Sequence, residues 1–487
     1  MGFEAVIGLE VHAQLRTRSK MFCGCGTMFG APPNTRICPV CIGLPGALPV
    51  VNHSAVDAGI RAALALGCRI NGTSVFARKN YFYPDLPKGY QISQYELPLA
   101  VDGVVEFEGP NGGRRIGITR AHLEEDAGKS LHEGFPDSDR CTYLDYNRSG
   151  TPLLEIVTEP DLRSAADAAA FFSRLRTLLV WLDVNDGNME EGSLRCDANV
   201  SVRPEGATAL GTKAEVKNLN SFRFLQKALE FEIARQIEVL EEGGRVIQET
   251  RLWDASANRT ISMRSKEEAH DYRYFPEPDL NPLVIDPARL TALRATMPEL
   301  PDARRERFVS AYGLPEYDAA QMTQSRAVAD FFEEAVGKGA PAKATANWIM
   351  GDLARVLKER GADITASPVS AAGLAGLLTL VERGTISGAI AKKVFEEMVS
   401  SGQAADAIVA ARNLSQIDDE GALLVKVAEV VSANPDAVVQ IRAGKAATLG
   451  FLVVQVMKAT GGRANPKRVN ELLREAIERG TPSSNSR

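Results

Sequence analysis

The spacing of the apolar residues changes near residue 295, and this change limits the possible folds more than any other feature of the sequence. Before it, turn residues separate short segments in which apolar and polar side chains alternate, with helical spacing over about 165–182 and 221–242. After it, apolar residues recur at helical intervals. Because the first part has too few helices for regular βαβ alternation, the pattern predicts an α+β fold: a largely antiparallel sheet followed by all-α domains. The predicted domains are 1–294, 295–410 and 411–487.

The N-terminal sequence and the composition predict a soluble cytoplasmic protein. The segment MGFEAVIGLEVH has Glu4 and Glu10 where a signal peptide would have a basic start and an unbroken apolar run. No apolar stretch of 18 residues occurs in the sequence, so we expect no association with a membrane. With 487 residues, 45% of them hydrophobic, the chain can bury a large core without disulfides, which are rare in a reducing compartment.

Four of the seven cysteines lie close together in MFCGCGTMFGAPPNTRICPVCI, residues 21–42. They are Cys23, Cys25, Cys38 and Cys41. Two close pairs of thiolates beside Gly and Pro turns can surround one tetrahedral zinc ion, which would be structural because the cysteines fill every coordination position. The alternative is four unrelated buried or free cysteines, since C-x-C is a looser motif than C-x-x-C. The other cysteines, Cys68, Cys141 and Cys196, are expected in the core.

Several predicted strands carry a charged face. In VIGLEVHAQL, Glu10 and His12 lie two residues apart and therefore share a face. Segment 193–203, SLRCDANVSVR, alternates without a break and places Arg195 and Asp197 together on its polar face. The next strand, TKAEVKN, contributes Lys217 to a similar row. A charged strand face is commonly no more than a solvated surface, which remains the alternative for each of these strands.

Two further segments concentrate carboxylates. ITRAHLEEDAGKS places His122, Glu124, Glu125 and Asp126 within five residues, and LLEIVTEPD adds Glu155 in a largely apolar setting. Strand parity places Glu124 and Glu125 on opposite faces and leaves open which of them faces a site. Carboxylates with interspersed Lys and Arg are what a magnesium–nucleotide centre needs, because the oxygens bind the ion and the cations bind the phosphates. A structural network of ion pairs would produce the same pattern.

Neither common glycine-rich nucleotide loop is present. GKS at 128–130 resembles the end of a Walker A loop, but Leu123 stands where that loop requires a glycine. In CGCGTMFG, Phe29 replaces the third glycine of G-x-G-x-x-G. A chain of this sequence that uses ATP would therefore bind it without a P-loop or a Rossmann fold.

The C-terminal segment is basic although the whole chain has a net charge of −6. From residue 441 onward, nine Lys or Arg accompany three Glu, a local balance of +6. A basic helical module on an acidic protein is suited to contact nucleic acid, so 411–487 is predicted to bind RNA. A basic but solvated surface is the alternative.

Taken together, the motifs resemble the B subunits of the bacterial tRNA-dependent amidotransferases, the GatB family. The matching stretches cover most of residues 6–285 and are GLEVHAQL, the cysteine quartet, KNYFYPDLPKGYQISQ, HLEEDAGK, DYNRSGTPLLEIVTEPD, MEEGSLRCDANVSVRP, EVKNLNSF, ETRLWD and MRSKEEAHDYRYFPEPDL. The C-terminal helices resemble the family's helical and tail modules by arrangement more than by motif.

The resemblance implies a cradle-shaped N-terminal domain related to the glutamine synthetase and guanido kinase fold, which binds ATP without a P-loop. It implies that Mg²⁺ and ATP phosphorylate the side-chain carboxylate of misacylated Glu-tRNA(Gln) or Asp-tRNA(Asn), and that ammonia then displaces the phosphate. In the family the ammonia comes from glutamine through a separate amidase A subunit, and a small C subunit completes the heterotrimer. The resemblance therefore implies a glutamine-dependent ligase whose B subunit alone lacks glutaminase activity.

Site residues follow from the matching positions. The residues expected at the carboxylate-activation site are Glu10, His12, Glu124, Glu125 and Glu155. The expected magnesium ligands are Glu10, His12, Glu125 and Asp197. The cations expected to hold phosphates are Lys79, Lys88, Arg195 and Lys217.

Two other functions fit parts of the same pattern. A non-catalytic scaffold that binds tRNA through its tail would also use a zinc knuckle and a basic module. A zinc hydrolase could use His12 and nearby carboxylates, although catalytic zinc commonly has more imidazole ligands than five scattered histidines supply.

Overall fold

A computed structural model of the chain describes residues 2–110, 112–265, 272–414, 420–445 and 447–479. The motif MRSKEEAHDYRYFPEPDL and the predicted tail domain therefore lie partly outside the described residues. The chain divides into two compact units, Met1–Leu300 and Pro301–Arg487, which we call the N-terminal and C-terminal units. This division lies close to the predicted boundary at 294/295, and the boundary near 410 stays a prediction. Within the described ranges, no helix is both long and apolar enough to cross a membrane.

Among the described residues, the N-terminal unit contains all of the strands and four helices. The strands are β1 Phe3–Gln14, β2 Arg69–Ile70, β3 Thr73–Ser74, β4 Phe76–Asn80, β5 Tyr90–Gln94, β6 Ala100–Gly109, β7 Gly112–Glu125, β8 Lys129–Leu131, β9 Tyr143–Asp145, β10 Pro152–Thr158, β11 Leu194–Pro204, β12 Ala214–Lys217, β13 Glu249–Asp254, β14 Arg259–Ser265, β15 Phe275–Pro276 and β16 Leu283–Val284. The helices are α1 His53–Ala65, α2 Ala165–Trp181, α3 Phe222–Glu241 and α4 Pro287–Ala295.

Nine of the strands form one sheet in the order β14-β13-β12-β11-β1-β10-β7-β6-β2. Among the described pairs of this sheet, only β12 and β13 run parallel. The predicted α+β fold with a largely antiparallel sheet is therefore confirmed. A three-stranded sheet, β15-β4-β5, packs against it through contacts between β5 and β7.

The two faces of the central strand β1 have different surroundings. Ile7, Leu9 and Val11 are buried in the main core, together with apolar residues of α2 and α3. The helix predicted to begin at Ser221 does so, because the Ser221 hydroxyl accepts a hydrogen bond from the Phe224 amide at 3.0 Å and caps the helix. The helices thus take up the apolar face, and the polar face that carries His12 remains available for a site.

The C-terminal unit is helical, as the spacing of its apolar residues predicts. Its α-helices are α5 Pro301–Tyr312, α6 Glu316–Met322, α7 Arg326–Gly337, α8 Ala342–Trp348, α9 Ala354–Arg360, α10 Ala371–Glu382, α11 Gly388–Ser401, α12 Ala405–Ala411, α13 Glu420–Ala433, α14 Pro435–Arg442, α15 Ala447–Ala459 and α16 Pro466–Arg479. A π-helical turn, Ile349–Leu353, joins α8 to α9, and a short 3-10 helix spans Ile364–Ala366. The last four α-helices share their own apolar core, which includes Val427, Leu452 and Val469.

An ion-pair network joins α5 to α7 in this unit. The Glu333 carboxylate accepts hydrogen bonds from Arg307 Nη1 at 2.6 Å, Arg304 Nη2 at 2.6 Å and the Tyr312 hydroxyl at 3.0 Å. The hydrogen bond from Arg307, with Tyr312 and Arg304, lowers the pKa of Glu333 to about 2 although partial burial opposes this shift. A carboxyl whose pKa is lower in the folded state stabilises the fold above its unfolded pKa and loses that contribution as the pH falls through the folded pKa.

We therefore expect the free energy of unfolding to fall as the pH decreases from about 4.5 toward 2, and Glu333→Gln to reduce this decline. Urea unfolding, followed by circular dichroism at several pH values, measures this free energy. Glu334→Gln is the matched control, because Glu334 is exposed on the same helix. The same pH dependence in Glu333→Gln and the unmodified protein would contradict the expectation.

Candidate active site

Backbone pairing brings distant polar residues together on the polar face of the main sheet. His12 on β1 lies opposite Glu155 on β10 and opposite Arg195 on β11. Glu155 lies in turn opposite His122 on β7. Residues directly opposite each other in antiparallel strands point to the same face, so these side chains must meet. Glu124, two residues after His122, shares that face.

We call His12, His122, Glu124 and Glu155 the central cluster. His12 Nε2 lies 3.4 Å from Glu155 Oε2 and 3.8 Å from Glu124 Oε1. His122 Nε2 lies 3.4 Å from Glu155 Oε2 and 3.8 Å from Glu124 Oε2. The cluster is buried apart from His12, whose side chain is 19% exposed. Two carboxylates and two imidazoles are thus held within direct electrostatic reach at a place open to solvent only through His12.

The charges of the central cluster compensate one another. Burial by itself lowers the pKa of His122, but Glu155 and Glu124 raise it to about 9. The pKa of His12 is also raised, because the hydrogen bond and charge of Glu155 outweigh burial. Burial would raise the pKa of Glu155, yet His122 and His12 hold it well below its ordinary value. The two imidazoles and the two carboxylates therefore stabilise each other's charged forms, a role toward the carboxylates that a divalent cation can also fill.

The donor atoms of the central cluster suit a metal ion. Ligand atoms of His12, Glu124 and Glu155 all lie within 4.8 Å of one another. Carboxylate oxygens and an imidazole nitrogen form a donor set that divalent ions accept. His122 Nδ1 is buried without a hydrogen bond to any described residue.

Lys79 approaches the central cluster from the three-stranded sheet. It lies on β4, and its Nζ stands 5.0 Å from the centre of the Tyr272 ring. Burial lowers the pKa of Lys79, but the charges of Glu124 and Glu155 keep it above the ordinary value. An ammonium group whose charge interacts with both carboxylates can stabilise negative charge that develops near them.

A second group, which we call the Asp126 cluster, adjoins the first and consists of Gln14, Asp126, Arg148 and Arg195. Arg195 donates two hydrogen bonds to Asp126, at 3.0 and 3.2 Å, and Gln14 Nε2 donates one at 2.8 Å. Arg148 Nε lies 3.6 Å from the same carboxylate. Burial opposes ionisation, but Arg195 and Arg148 lower the pKa of Asp126 to about 2. Asp126 therefore stays charged and fixes two guanidinium groups beside the central cluster.

Glu124 and Glu125 have separate environments. Glu124 belongs to the central cluster, and its Oε2 accepts a hydrogen bond from the Ser93 hydroxyl at 3.2 Å. Glu125 is also buried, but it forms an ion pair with Lys88 and accepts a hydrogen bond from the Ile92 amide at 2.9 Å. The structure thus answers the question that strand parity leaves open: Glu124 faces His12, and Glu125 faces Lys88.

The other residues expected at the site continue the polar row along the strands. Glu10 lies opposite Asp197 and accepts a hydrogen bond from Asn199 Nδ2 at 2.9 Å. Lys217 Nζ donates to Asp197 Oδ2 at 2.8 Å. Of the four expected magnesium ligands, only His12 belongs to a described group whose ligand atoms converge. The other members of that group are Glu124 and Glu155, and magnesium binding by Glu10, Glu125 and Asp197 stays a prediction.

Sequence reasoning assigned no role to three groups of this site. His122 and Asp126 lie in the same acidic segment as Glu124, and Arg148 lies in DYNRSGTPLLEIVTEPD. The parity of β7 could have identified His122, since it is two residues from Glu124. Nothing in the local pattern pairs Asp126 with Arg195, because 69 residues separate them in the chain.

The cysteine quartet converges as predicted. Ligand atoms of Cys23, Cys25, Cys38 and Cys41 lie within 4.8 Å of one another, which forms a group that could hold a metal ion. The hydrogen bond from Cys23 lowers the pKa of Cys41 to about 4 against the effect of burial, and the charge of Lys20 contributes. Lys20 is fully buried, with its Nζ 3.4 Å from Cys41 Sγ and 2.7 Å from the Arg36 carbonyl oxygen.

The remaining cysteines divide between the core and the surface. Cys68 and Cys196 are buried, as predicted. Cys141 is exposed, so its expected place in the core is wrong. It lies in the loop between β8 and β9, where the apolar core does not reach.

Two family models match the chain. A family model of the GatB/GatE catalytic domain matches residues 5–291, and a family model of the GatB domain matches residues 330–477. The first match includes both clusters and all of the main sheet except the first two residues of β1. The second spans most of the helices of the C-terminal unit.

Similar proteins match the chain almost from end to end. The B subunit of the aspartyl/glutamyl-tRNA(Asn/Gln) amidotransferase of Moorella thermoacetica is 57% identical over 477 residues, 98% of this chain and 100% of the relative. The proteins of the same name from Carboxydothermus hydrogenoformans and Geobacter sulfurreducens are each 56% identical, over 98% of this chain and 99% and 100% of the relatives. The chain therefore belongs to the GatB family, the B subunits of the aspartyl/glutamyl-tRNA(Asn/Gln) amidotransferases.

Proposed function

We propose that the chain activates the side-chain carboxylate of misacylated Glu-tRNA(Gln) or Asp-tRNA(Asn) for amidation. The terminal phosphoryl group of ATP passes to a carboxylate oxygen and ADP leaves. Ammonia then attacks the carbonyl carbon, the C–N bond forms, inorganic phosphate leaves and a proton is lost. A carboxylate is a poor acyl electrophile at neutral pH, and phosphorylation supplies the leaving group. The observation that carries the proposal is the convergence of His12, Glu124 and Glu155 beside Lys79 and Arg195.

In this proposal His12, Glu124 and Glu155 hold Mg²⁺, which would neutralise charge on the phosphates. Lys79 and Arg195 stabilise the negative charge that develops on the transferred phosphoryl group. His122 acts as a positioning residue, because its Nε2 lies 3.4 Å from Glu155.

We propose that this site extends to Glu10, Asp197 and the ion pairs of Lys88 and Lys217. Lys88 is ion-paired with Glu125, and Lys217 with Asp197. Each lysine can bind a phosphate only if the substrate competes with its present carboxylate partner. We therefore assign them a smaller part in phosphate binding than Lys79.

The proposal includes a cradle domain of the glutamine synthetase and guanido kinase type. A broad antiparallel sheet with helices on one face leaves a polar face that can hold a nucleotide without a glycine-rich loop, and this arrangement supports the assignment. The substrate is a charged tRNA used in translation, which places the reaction in the cytoplasm.

We further propose that the chain works in a heterotrimer with an amidase A subunit and a small C subunit. The A subunit hydrolyses glutamine and delivers the ammonia. The relatives are named as B subunits, which implies a complex with other subunits. Four of the cysteines converge on one possible metal site, which leaves them unsuited to act as nucleophiles.

Release of ADP tests the proposed activity. We expect the assembled enzyme to release ADP only when Glu-tRNA(Gln) or Asp-tRNA(Asn) is present.

Glu124→Gln should lower kcat by about 10²–10³ and keep the affinity for tRNA, because it removes a charge from the centre that stabilises the transition state. Glu125→Gln should likewise keep tRNA affinity and lose activation. Glu159→Gln, an exposed carboxylate near the end of β10, is the control. ADP release that ignores the tRNA would contradict the proposal, and full activity of Glu124→Gln and Glu125→Gln would favour a tRNA-binding scaffold.

We propose that the cysteine quartet binds a structural zinc ion. Cys38→Ser should lower the zinc content and increase amide hydrogen exchange over residues 20–45, because the loop loses one of its four ligands. Metal analysis and hydrogen-exchange mass spectrometry measure the two effects. Cys141→Ser, at an exposed cysteine outside the quartet, should leave both unchanged. Unchanged zinc in Cys38→Ser would refute the ligand assignment.

We propose that the basic tail, 411–487, binds tRNA. Its removal should weaken tRNA binding and raise the tRNA concentration needed for half-maximal activity, because phosphate contacts dominate nucleic-acid affinity. Filter binding at two salt concentrations measures this, and the loss should be greater at the lower one. Equal tRNA affinity with and without the tail would indicate that the tail is only a solvated basic surface.

A further inference from the structure

A buried lysine lies between the cysteine quartet and the candidate active site. Lys20 is fully buried, and no carboxylate of the described residues forms an ion pair with it. Its Nζ donates hydrogen bonds to Cys41 Sγ at 3.4 Å, to the Arg36 carbonyl oxygen at 2.7 Å and to the Tyr146 carbonyl oxygen at 3.4 Å. An ammonium group buried without a counter-charge is strongly destabilising. Among the described residues, the quartet is the group that can supply this negative charge.

The charge of the quartet matches that of the lysine. Four thiolates around one Zn²⁺ leave two negative charges uncompensated, and such charge in a buried site requires a nearby cation. Cys41 is buried, whereas Cys23, Cys25 and Cys38 are partly exposed. The Lys20 ammonium group therefore donates to the thiolate that water solvates least.

The same side chain contacts the segment 146–150, which lies shortly before β10. One contact is the hydrogen bond from Lys20 Nζ to the Tyr146 carbonyl oxygen. The other is with Gly150, where a Cβ would lie 3.4 Å from Lys20 Cδ. The amide of Met21, the next residue of the chain, donates to the Gly150 carbonyl oxygen at 2.8 Å. Lys20 thus contacts both ends of this segment.

The segment 146–150 leads directly into the Asp126 cluster. The Gly150 amide donates to the Asp126 carbonyl oxygen at 2.8 Å, and Arg148 Nε lies 3.6 Å from the Asp126 carboxylate. The Ser149 hydroxyl donates back to the Cys41 carbonyl oxygen at 3.1 Å. Arg148 is therefore held between backbone contacts with the quartet on one side and with Asp126 on the other.

We propose that Lys20 is a positioning residue that couples metal binding by the quartet to the placement of Arg148 beside Asp126. With zinc bound, the sulfur atoms share one centre, Cys41 holds the ammonium group, and the ammonium group holds the Tyr146 carbonyl. Loss of the metal releases the sulfur atoms from that centre, so the segment 146–150 loses an anchor. This inference rests on the proposed zinc site, and it adds a link to the active site that a structural zinc ion does not require.

Amide hydrogen exchange of the full-length chain tests the coupling. Removal of zinc by a chelator should increase exchange over the segment 146–150 as well as over residues 20–45. Lys20→Met, of similar length but without a donor, should increase exchange over the same segment with zinc bound, and zinc removal should then add little. Its zinc Kd should rise about 10–100-fold, because a hydrogen bond from a charged donor is lost. Lys213→Met, at an exposed lysine, is the matched control.

Substitution of Co²⁺ for zinc gives a readout at the sulfur atoms themselves. A hydrogen bond to a thiolate lowers the energy of its lone pairs, so Lys20→Met should shift the thiolate-to-cobalt charge-transfer band to longer wavelength. An unchanged band would show that Lys20 only fills space, and it would overturn the proposal. If Lys20→Met fails to fold, zinc removal from the unmodified chain decides, because unchanged exchange over 146–150 would overturn the coupling.

Steady-state kinetics of the assembled enzyme test the link to Arg148. Lys20→Met should lower kcat for ADP release about tenfold and leave the Kd for tRNA unchanged, because the loss of an outer contact displaces a group of the active site. An unchanged kcat would overturn this link. An unmodified enzyme without ADP release would overturn the proposed carboxylate activation, and an unmodified chain that binds no zinc would overturn the zinc site, so these failures are distinct.

Discussion

The antiparallel pairing of β1 with β10 and β11 is the constraint on which the rest of the site depends. It sets His12 opposite Glu155 on one side and opposite Arg195 on the other. A shift of one residue in either pairing would turn His12 or its partner toward the apolar core, because side chains alternate strictly along a strand. The burial of Ile7, Leu9 and Val11 beneath the helices opposes such a shift. The hydrophobic core therefore sets the register, and the register assembles the polar cluster.

The buried polar face is stable because its charges compensate one another. His12 and His122 balance Glu124 and Glu155, and Arg148 and Arg195 hold Asp126 ionised. Removing one partner of a buried ion pair typically costs about 3–5 kcal/mol, since an unpaired charge remains in a medium of low polarity. A substrate phosphate or a divalent cation that enters such a network exchanges one set of compensating charges for another.

The cysteine quartet contributes through the loop that it closes. Lys20, buried against Cys41, offsets part of the negative charge that four thiolates would bring. The loop between the cysteine pairs then holds the segment 144–147 through hydrogen bonds from Asn34 and Arg36. The loop between the cysteine pairs thus supports the segment that leads into Arg148.

The amino-acid sequence by itself determined the α+β class, the helix that begins at Ser221, the cysteine quartet and the faces that polar residues share along each strand. These follow from periodicity and spacing, which act over a few residues. Tertiary structure alone decided that Glu124 rather than Glu125 meets His12 and that Asp126 joins Arg195 and Gln14. The physical reason is that these contacts join segments 69 to 112 residues apart in the chain, where long-range pairing of strands and loops rather than local pattern selects the partner.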